Sequence, residues 1–336
     1  MIVCNLWSQA GSDAFQFLNL SYSAKVTSLG GNNVSLRNGD MSLALYNPAS
    51  LSDESNKMIS LNYANLTGKI NFASVGYCHK LSSNDYLAAY MQFCDYGKFD
   101  KYTAQDYYEG SFSAKDMALN IIYTRKLNDY WNVGLNFKPI YSNYETYQSL
   151  ALAGDIGINY FNANIGLSFG LSARNIGAQV VSFYKDGDDK RYQSLPINLC
   201  AGLSYRIPKA PLRFSVTYNN IERWDLTPNK EKKKTSSLID ENKKNDKITG
   251  LGMFFRHTVF AVEIVPKSEK FYFGLSYNVR RQQEMSTAIK RSMSGLAFGA
   301  GCRIYKFDLG VGVAQYTISG WTVNVSLSTS LARFNL

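Results

Sequence analysis

Histidine is almost missing from this chain: His79 and His257 are the only two in 336 residues. Neither has a carboxylate or Cys cluster near it in sequence, so metal coordination and Ser-His-Asp chemistry are both poorly supplied. The five cysteines are scattered singly, without CxxC or metal-ligand spacing. If Cys78 and Cys94 lie on consecutive strands turning near Ser83, Cys78 faces a residue near Leu87, which argues against a bridge between them. Proline is scarce at 7, and charged residues make up only 18%; long helices want more Glu, Lys and Ala than this allows. No run approaches the ~18 to 20 consecutive apolar residues of a membrane helix. The chain is therefore expected to use no metal and no cofactor.

Aromatic residues are abundant instead, with 24 Tyr and 19 Phe, and strands favour them. The reading is all-β. A mean hydropathy of -0.23 would ordinarily indicate a soluble protein. A strand with one face to lipid and one to a polar lumen averages to the same value, so hydropathy is blind to a membrane barrel.

The stretch "GLSFG" at Gly166–Gly170 matches G-x-S-x-G, the turn that exposes a hydrolase nucleophile. Its flanks deny that role. Ile165, Leu167, Phe169, Leu171 and Ala173 alternate with Gly166, Ser168, Gly170, Ser172 and Arg174, the period of one continuous strand. Ser168 reads as a small residue on the polar face, and the chain is expected not to be an enzyme. Similar dyads recur, as in Leu212, Phe214, Val216 and Tyr218 against Arg213, Ser215, Thr217 and Asn219.

Fourteen strands are expected, near 57–65, 69–80, 85–98, 112–126, 130–145, 149–161, 164–175, 194–207, 211–223, 256–265, 270–284, 294–305, 307–317 and 320–334. Links after even-numbered strands are short: "KLSSND", "KLND", "FNAN", "IPKAP", "PKSEK" and a turn near Lys306. Several links after odd-numbered strands are long, including "GKFDKYTAQDYYEGSF", "IGAQVVSFYKDGDDKRYQ" and the 30-odd residues from Trp224 to Phe255. Loops sorted in this way are the mark of an outer-membrane barrel, whereas a sandwich has no reason to sort them. Tyr63, Tyr86, Tyr130, Trp131, Tyr141, Tyr205, Trp224, Tyr272 and Trp321 fall near strand ends and suit an aromatic girdle.

Three segments follow. Residues 1–10, "MIVCNLWSQA", resemble the tail of a truncated signal peptide cleaved near Ala10. Residues 11–56 lack alternation, carry short helical runs, a Gly30-Gly31 break and an Asn47-Pro48-Ala49 corner, and read as a helical hatch or plug in the lumen. Residues 57–336 form the transmembrane antiparallel barrel. The 36 basic against 26 acidic residues do not imply nucleic acid, because no basic stripe is interleaved with stacking aromatics. Anionic lipopolysaccharide is a more natural counter-charge than nucleic acid for the lysine-rich loop "NKEKKKTSSLIDENKKND", and a simply solvated surface comes ahead of both. Tyr107, Tyr108, Tyr184 and Trp224, in or beside the long loops, are candidate partner anchors.

"FQFLNLSYSAKVTSLGGNNVSL", "SLALYNPASLSDE", "YGKFD", "LNDYWNVGLNFKPIYSNYETY", "PLRFSVTYNNIERWDLT" and "YNVRRQQEM" together resemble the PorV/PorQ-like barrels of the type IX secretion system of Bacteroidetes. The likeness runs from about Phe15 to the C-terminus. The Asn47-Pro48-Ala49 corner is also similar to the hatch of FadL-type transporters. The resemblance implies a fourteen-stranded, hatch-bearing, non-enzymatic barrel in the bacterial outer membrane. It further implies a cell-surface attachment complex, in which a PorQ-like barrel holds a PorZ-like surface protein beside a PorU-like sortase and its PorV-like barrel. The alternative is a FadL-type transporter of hydrophobic small molecules. The C-terminus departs from the pattern, since Phe334 is out of phase with the outward set Val323, Val325 and Leu327.

Overall fold

The period of two noted in the sequence becomes a wall whose two faces have opposite chemistry. The computed structural model describes residues 13–66, 70–183, 192–226, 250–266, 268–285, 293–317 and 320–334. Residues 1–10, Tyr184, the lysine-rich loop and the last two residues lie outside the described residues. The wall comprises β1 (Met58–Asn65), β2 (Asn71–Lys80), β3 (Asp85–Tyr102), β4 (Tyr108–Lys126), β5 (Trp131–Tyr144), β6 (Tyr147–Asn162) and β7 (Leu167–Val181). It continues through β8 (Asn198–Arg206), β9 (Leu212–Tyr218), β10 (Thr258–Ile264), β11 (Phe271–Asn278), β12 (Leu296–Ile304), β13 (Phe307–Thr317) and β14 (Gly320–Ser330). Each strand pairs antiparallel with its sequence neighbours, and β1 closes the ring on β14 with Met58 opposite Ser330 and Asn65 opposite Val323. Closure leaves no strand edge unpaired, as a bilayer requires.

Outward positions are large and apolar yet accessible: Leu135, Phe137 and Ile156 are each more than half exposed, with Leu61, Val75, Leu171, Leu203, Phe273 and Val325 close to it. An apolar surface this extensive matches the lipid-facing band of a membrane barrel. Inward positions are polar and buried, among them Asn62, Ser74, Gln92, Asn120, Asn136, Asn159, Ser204, Thr217 and Asn324. None of the described helices is long and apolar enough to span a bilayer.

Local differences from the sequence reading have clear causes. The stretch read as a loop after β3 is mostly strand: β3 and β4 run 18 and 19 residues and turn only across 103–107. About ten residues suffice to cross a bilayer, so this hairpin projects well past its neighbours. β11 stops at Asn278, where the side-chain Oδ1 accepts the Arg281 N–H at 3.1 Å and starts a short helix (Val279–Met285). A second short helix, Gly250–Arg256, precedes β10. Tyr86 and Tyr272 leave the expected girdle and point inward, Tyr86 fully buried and Tyr272 under the amine of Lys25 at 3.7 Å. The phase of Phe334 is explained by the strand ending at Ser330. The chain then turns in a 3-10 helix (Leu331–Phe334) that sets Phe334 edge-on to Phe307 at 5.8 Å.

Candidate functional site

Residues 13–57 precede β1 and fill the lumen with short elements: 3-10 turns at Gln16–Asn19, Met41–Leu45, Pro48–Ser50 and Asp53–Ser55, and one helical turn α1 (Ala24–Ser28). The Asn47-Pro48-Ala49 corner is held by its own Asn47 and by side chains of the wall. Asn47 Oδ1 accepts the Ala49 N–H at 3.0 Å, while its Nδ2 donates to Val34 O at 2.6 Å and to Ile158 O on β6 at 3.1 Å. Proline follows as the first helical residue, where its missing N–H costs nothing. Thr124 Oγ1 donates to Pro48 O, and Asn132 Nδ2 donates to Ala49 O at 3.3 Å and Leu51 O at 3.1 Å. The wall beneath is bare: a Cβ at Gly134 or Gly157 would collide with Pro48 or Asn47, and one at Gly170 with Val34 O. Glycine is required here for close backbone approach.

Gly30 and Gly31 end α1 with φ of +89° and +85°, a left-handed pair that lets Gly31 N–H bond Val26 O at 2.9 Å and Gly30 N–H bond Thr27 O at 3.0 Å. On its wall side α1 presses Ala24 and Ser28 onto Gly299 and Gly312, and the Ala24 N–H donates to Ser326 Oγ at 2.9 Å. Lys25 forms an ion pair with Glu263 of β10, whose other oxygen accepts Arg213 Nε of β9 at 2.8 Å. All three side chains are buried. The sequence reading missed this cluster. Its one signal was Glu263, a charge on the inward phase shared with Ala261 and Val259.

A second polar chain crosses the wall from β3 to β7. Asn120 Nδ2 donates to Gln92 Oε1 at 2.8 Å, Asn136 Nδ2 to Asn120 Oδ1 at 3.0 Å and to Asp155 at 2.7 Å, and Lys138 pairs with Asp155 at 2.9 Å. Lys138 also donates to Asn175 Oδ1 at 2.8 Å. Asn175 has φ +58° and occupies a bulge where β6 and β7 slip register between Gly154 and Ile156. These groups brace the wall rather than line an open pore.

The two ends differ. At the short-turn end a cavity of about 290 Å3 contains Arg37, Asp53, Ser168 and Arg206 among its walls. Exposed Asp53 pairs with Lys80, and that hydrogen bond, opposed by some desolvation, holds its carboxyl below the usual carboxylate range. Ser168 Oγ donates to Ser35 O, while His79 faces outward and His257 is buried at the other end against Asn219 O and Trp224 O. The structure therefore brings no imidazole to Ser168. Among the described residues no group of three metal-ligating side chains occurs.

At the long-loop end the candidate anchors separate. Tyr107 is 74% exposed in the hairpin turn and Tyr108 opens β4. The hairpin carries the aromatic pairs Phe99–Phe112 at 5.4 Å and Tyr102–Tyr108 at 5.7 Å, and Lys101 ties it to Glu145 at 2.9 Å. Trp224 is exposed elsewhere on this end, stacked on His257 at 5.9 Å. A further cavity of about 290 Å3 lies between Gly30–Gly31 of the hatch and Asn198, Asn219 and Asn278 of the wall, and it is rich in arginine.

No family model matches the sequence, and no curated protein does. Among solved structures the chain is similar to the Pseudomonas putida toluene transporter TodX, with a TM-score of 0.56 at 10% identity over 92% of this chain and 97% of that one. It is similar too to a TodX deltaS2S3 mutant described as a monoaromatic hydrocarbon channel, at 0.57 and 12% over 92% and 99%. A Pseudomonas aeruginosa FadL homologue gives 0.52 at 10% over 92% and 98%. At such identities the likeness speaks to fold alone. The chain has the fold of the FadL-type outer-membrane β-barrels, a closed antiparallel fourteen-stranded wall around an N-terminal hatch.

Proposed function

We propose that this chain is a non-enzymatic outer-membrane barrel that holds a surface-exposed partner protein at its long-loop end. In its finer form the reading is a PorQ-like subunit of a type IX attachment complex, holding a PorZ-like protein next to a PorU-like sortase and its PorV-like barrel. The observation that carries the proposal is the β3–β4 hairpin. It projects beyond the wall with Phe99, Tyr102, Tyr107 and Tyr108 exposed, and aromatic side chains of this kind dominate binding energy at protein interfaces. The keyed, hydrogen-bonded hatch supports a static role for the lumen.

The test is affinity purification from detergent-solubilised outer membranes through a tag inserted between residues 230 and 245, with co-purifying proteins identified by mass spectrometry. The reading expects a large surface protein together with a sortase and a second barrel, and expects Y107A/Y108A to reduce their recovery.

The second reading, transport of hydrophobic small molecules, draws on the fold shared with a toluene transporter. It requires an apolar cavity against the hatch, whereas the cavity beside Gly30 and Gly31 has polar and arginine walls. Recovery of the barrel alone with bound fatty acid or hydrocarbon would reverse the order of the two.

A further inference from the structure

The arginine-rich cavity at the long-loop end takes no part in the partner reading and has chemistry of its own. Five arginines line it, Arg174, Arg223, Arg256, Arg280 and Arg281, against two carboxylates. Both carboxylates are engaged: Asp13 pairs with Arg223 at 3.0 Å and Glu284 with Arg280 at 2.7 Å. Arg256 instead donates to Gln283 at 2.7 Å, and Arg281 lies over the Tyr316 ring at 4.2 Å. Arg174, Arg256 and Arg281 make no salt bridge among the described residues, so three guanidinium groups line one cavity without a counter-ion among those residues.

Four buried polar atoms without a partner among the described residues lie at the same place. Arg174 is 3% exposed, its guanidinium lies over the Tyr46 ring at 5.3 Å, and its Nε has no hydrogen-bond partner. Asn19 Oδ1, Asn32 Oδ1 and Tyr316 Oη are also buried without one, and all four residues line this cavity. Leaving such groups unpaired is costly, and native proteins rarely tolerate a cluster of them.

The geometry points to a binding site for a phosphorylated sugar. Guanidinium forks hold a phosphate dianion bidentately; a monocarboxylate would leave two of the three charges uncompensated. The phenol of Tyr316 adds a donor, and the side-chain oxygens of Asn19 and Asn32 accept from sugar hydroxyls. A volume of about 290 Å3 falls just below the range of ~300–1,000 Å3 for ligand pockets, which suits one monosaccharide unit and no larger ligand. The phosphorylated sugar has two possible sources, a free sugar phosphate or the headgroup of an outer-leaflet glycolipid.

Isothermal titration calorimetry on the full chain in detergent, with glucose 6-phosphate, glucose, inorganic phosphate and purified lipopolysaccharide, tests this directly. Glucose 6-phosphate is expected to bind saturably, glucose not at all, and inorganic phosphate about tenfold more weakly. Arg174→Gln is expected to weaken binding by about tenfold or more. Because Arg174 is buried, Arg281→Gln is measured beside it, each variant first being checked for the gel shift of a folded barrel on heating. Lys80→Gln, at the opposite end, leaves binding unchanged. Displacement of glucose 6-phosphate by lipopolysaccharide identifies the glycolipid as the source, and failure to displace it identifies the free sugar phosphate. No saturable binding, binding of glucose as tight as its phosphate, or unchanged affinity in both folded arginine variants overturns the site.

Discussion

The Asn47-Pro48-Ala49 corner and α1 rest on opposite walls of the same lumen, the first against β5–β7 and the second against β11–β14. Both use wall glycines to let backbone approach backbone. The corner is then held by neutral hydrogen bonds, to Val34 O, Ile158 O and Ala49 N–H. α1 is held by charge, through Lys25, Glu263 and Arg213. A buried neutral bond contributes modestly and is costly only when one side is left unmet. A buried ion pair offsets its own desolvation only while every partner is present. The two seats should therefore fail differently when a single group is removed.

The largest effect is expected from Glu263→Gln, which leaves two buried cations without their carboxylate. A loss of about 3–5 kcal/mol should appear in denaturant unfolding of the folded barrel in micelles. A triple change of Lys25, Arg213 and Glu263 to apolar residues of similar size should recover most of that loss. Next comes Gly157→Val, which drives a side chain into Asn47 and should cost about 1–3 kcal/mol or more. Gly250→Ala, where an added Cβ meets nothing within 4 Å, is the neutral control in the same assay. Asn47→Ala should cost about 1–3 kcal/mol, a neutral-seat loss smaller than that of Glu263→Gln; equal losses would erase the distinction between the seats.

The smallest effect belongs to the exposed Lys80–Asp53 pair, where Lys80→Met should cost under about 1 kcal/mol. Its sign with pH is nevertheless defined. The folded carboxyl of Asp53 lies below its ordinary value, so its contribution is present above about pH 4 and is lost as pH falls through the lowered folded value. Acid unfolding curves of the wild type and Lys80→Met should accordingly converge at the lowest pH.

The barrel was legible because alternation is local: each of the fourteen expected strands corresponds to one in the ring. Boundaries failed where a second local signal competed. Asn278 caps a helix within what alternation alone extends as strand, and Gly97, with φ +84°, disguised the extension of β3. The Asn47-Pro48-Ala49 corner stood out as a motif, but its glycine seats did not, since they are single residues on three separate strands. Aromatics misled at Tyr86 and Tyr272, because proximity to a strand end does not fix which face a side chain takes. The Lys25–Glu263 pair spans 238 positions, a separation that no window along the chain detects.

That separation bears on how the molecule assembles. Lys25 is made before any strand, and its counter-ion arrives with β10; α1 then packs on β12 and β13. The corner, by contrast, needs only β4 to β7. Lys25 and its carboxylate are brought together only in a barrel whose late half is in place, and the same late half carries the β1–β14 seam. Closing the ring and neutralising the charge of α1 thus draw on one set of strands.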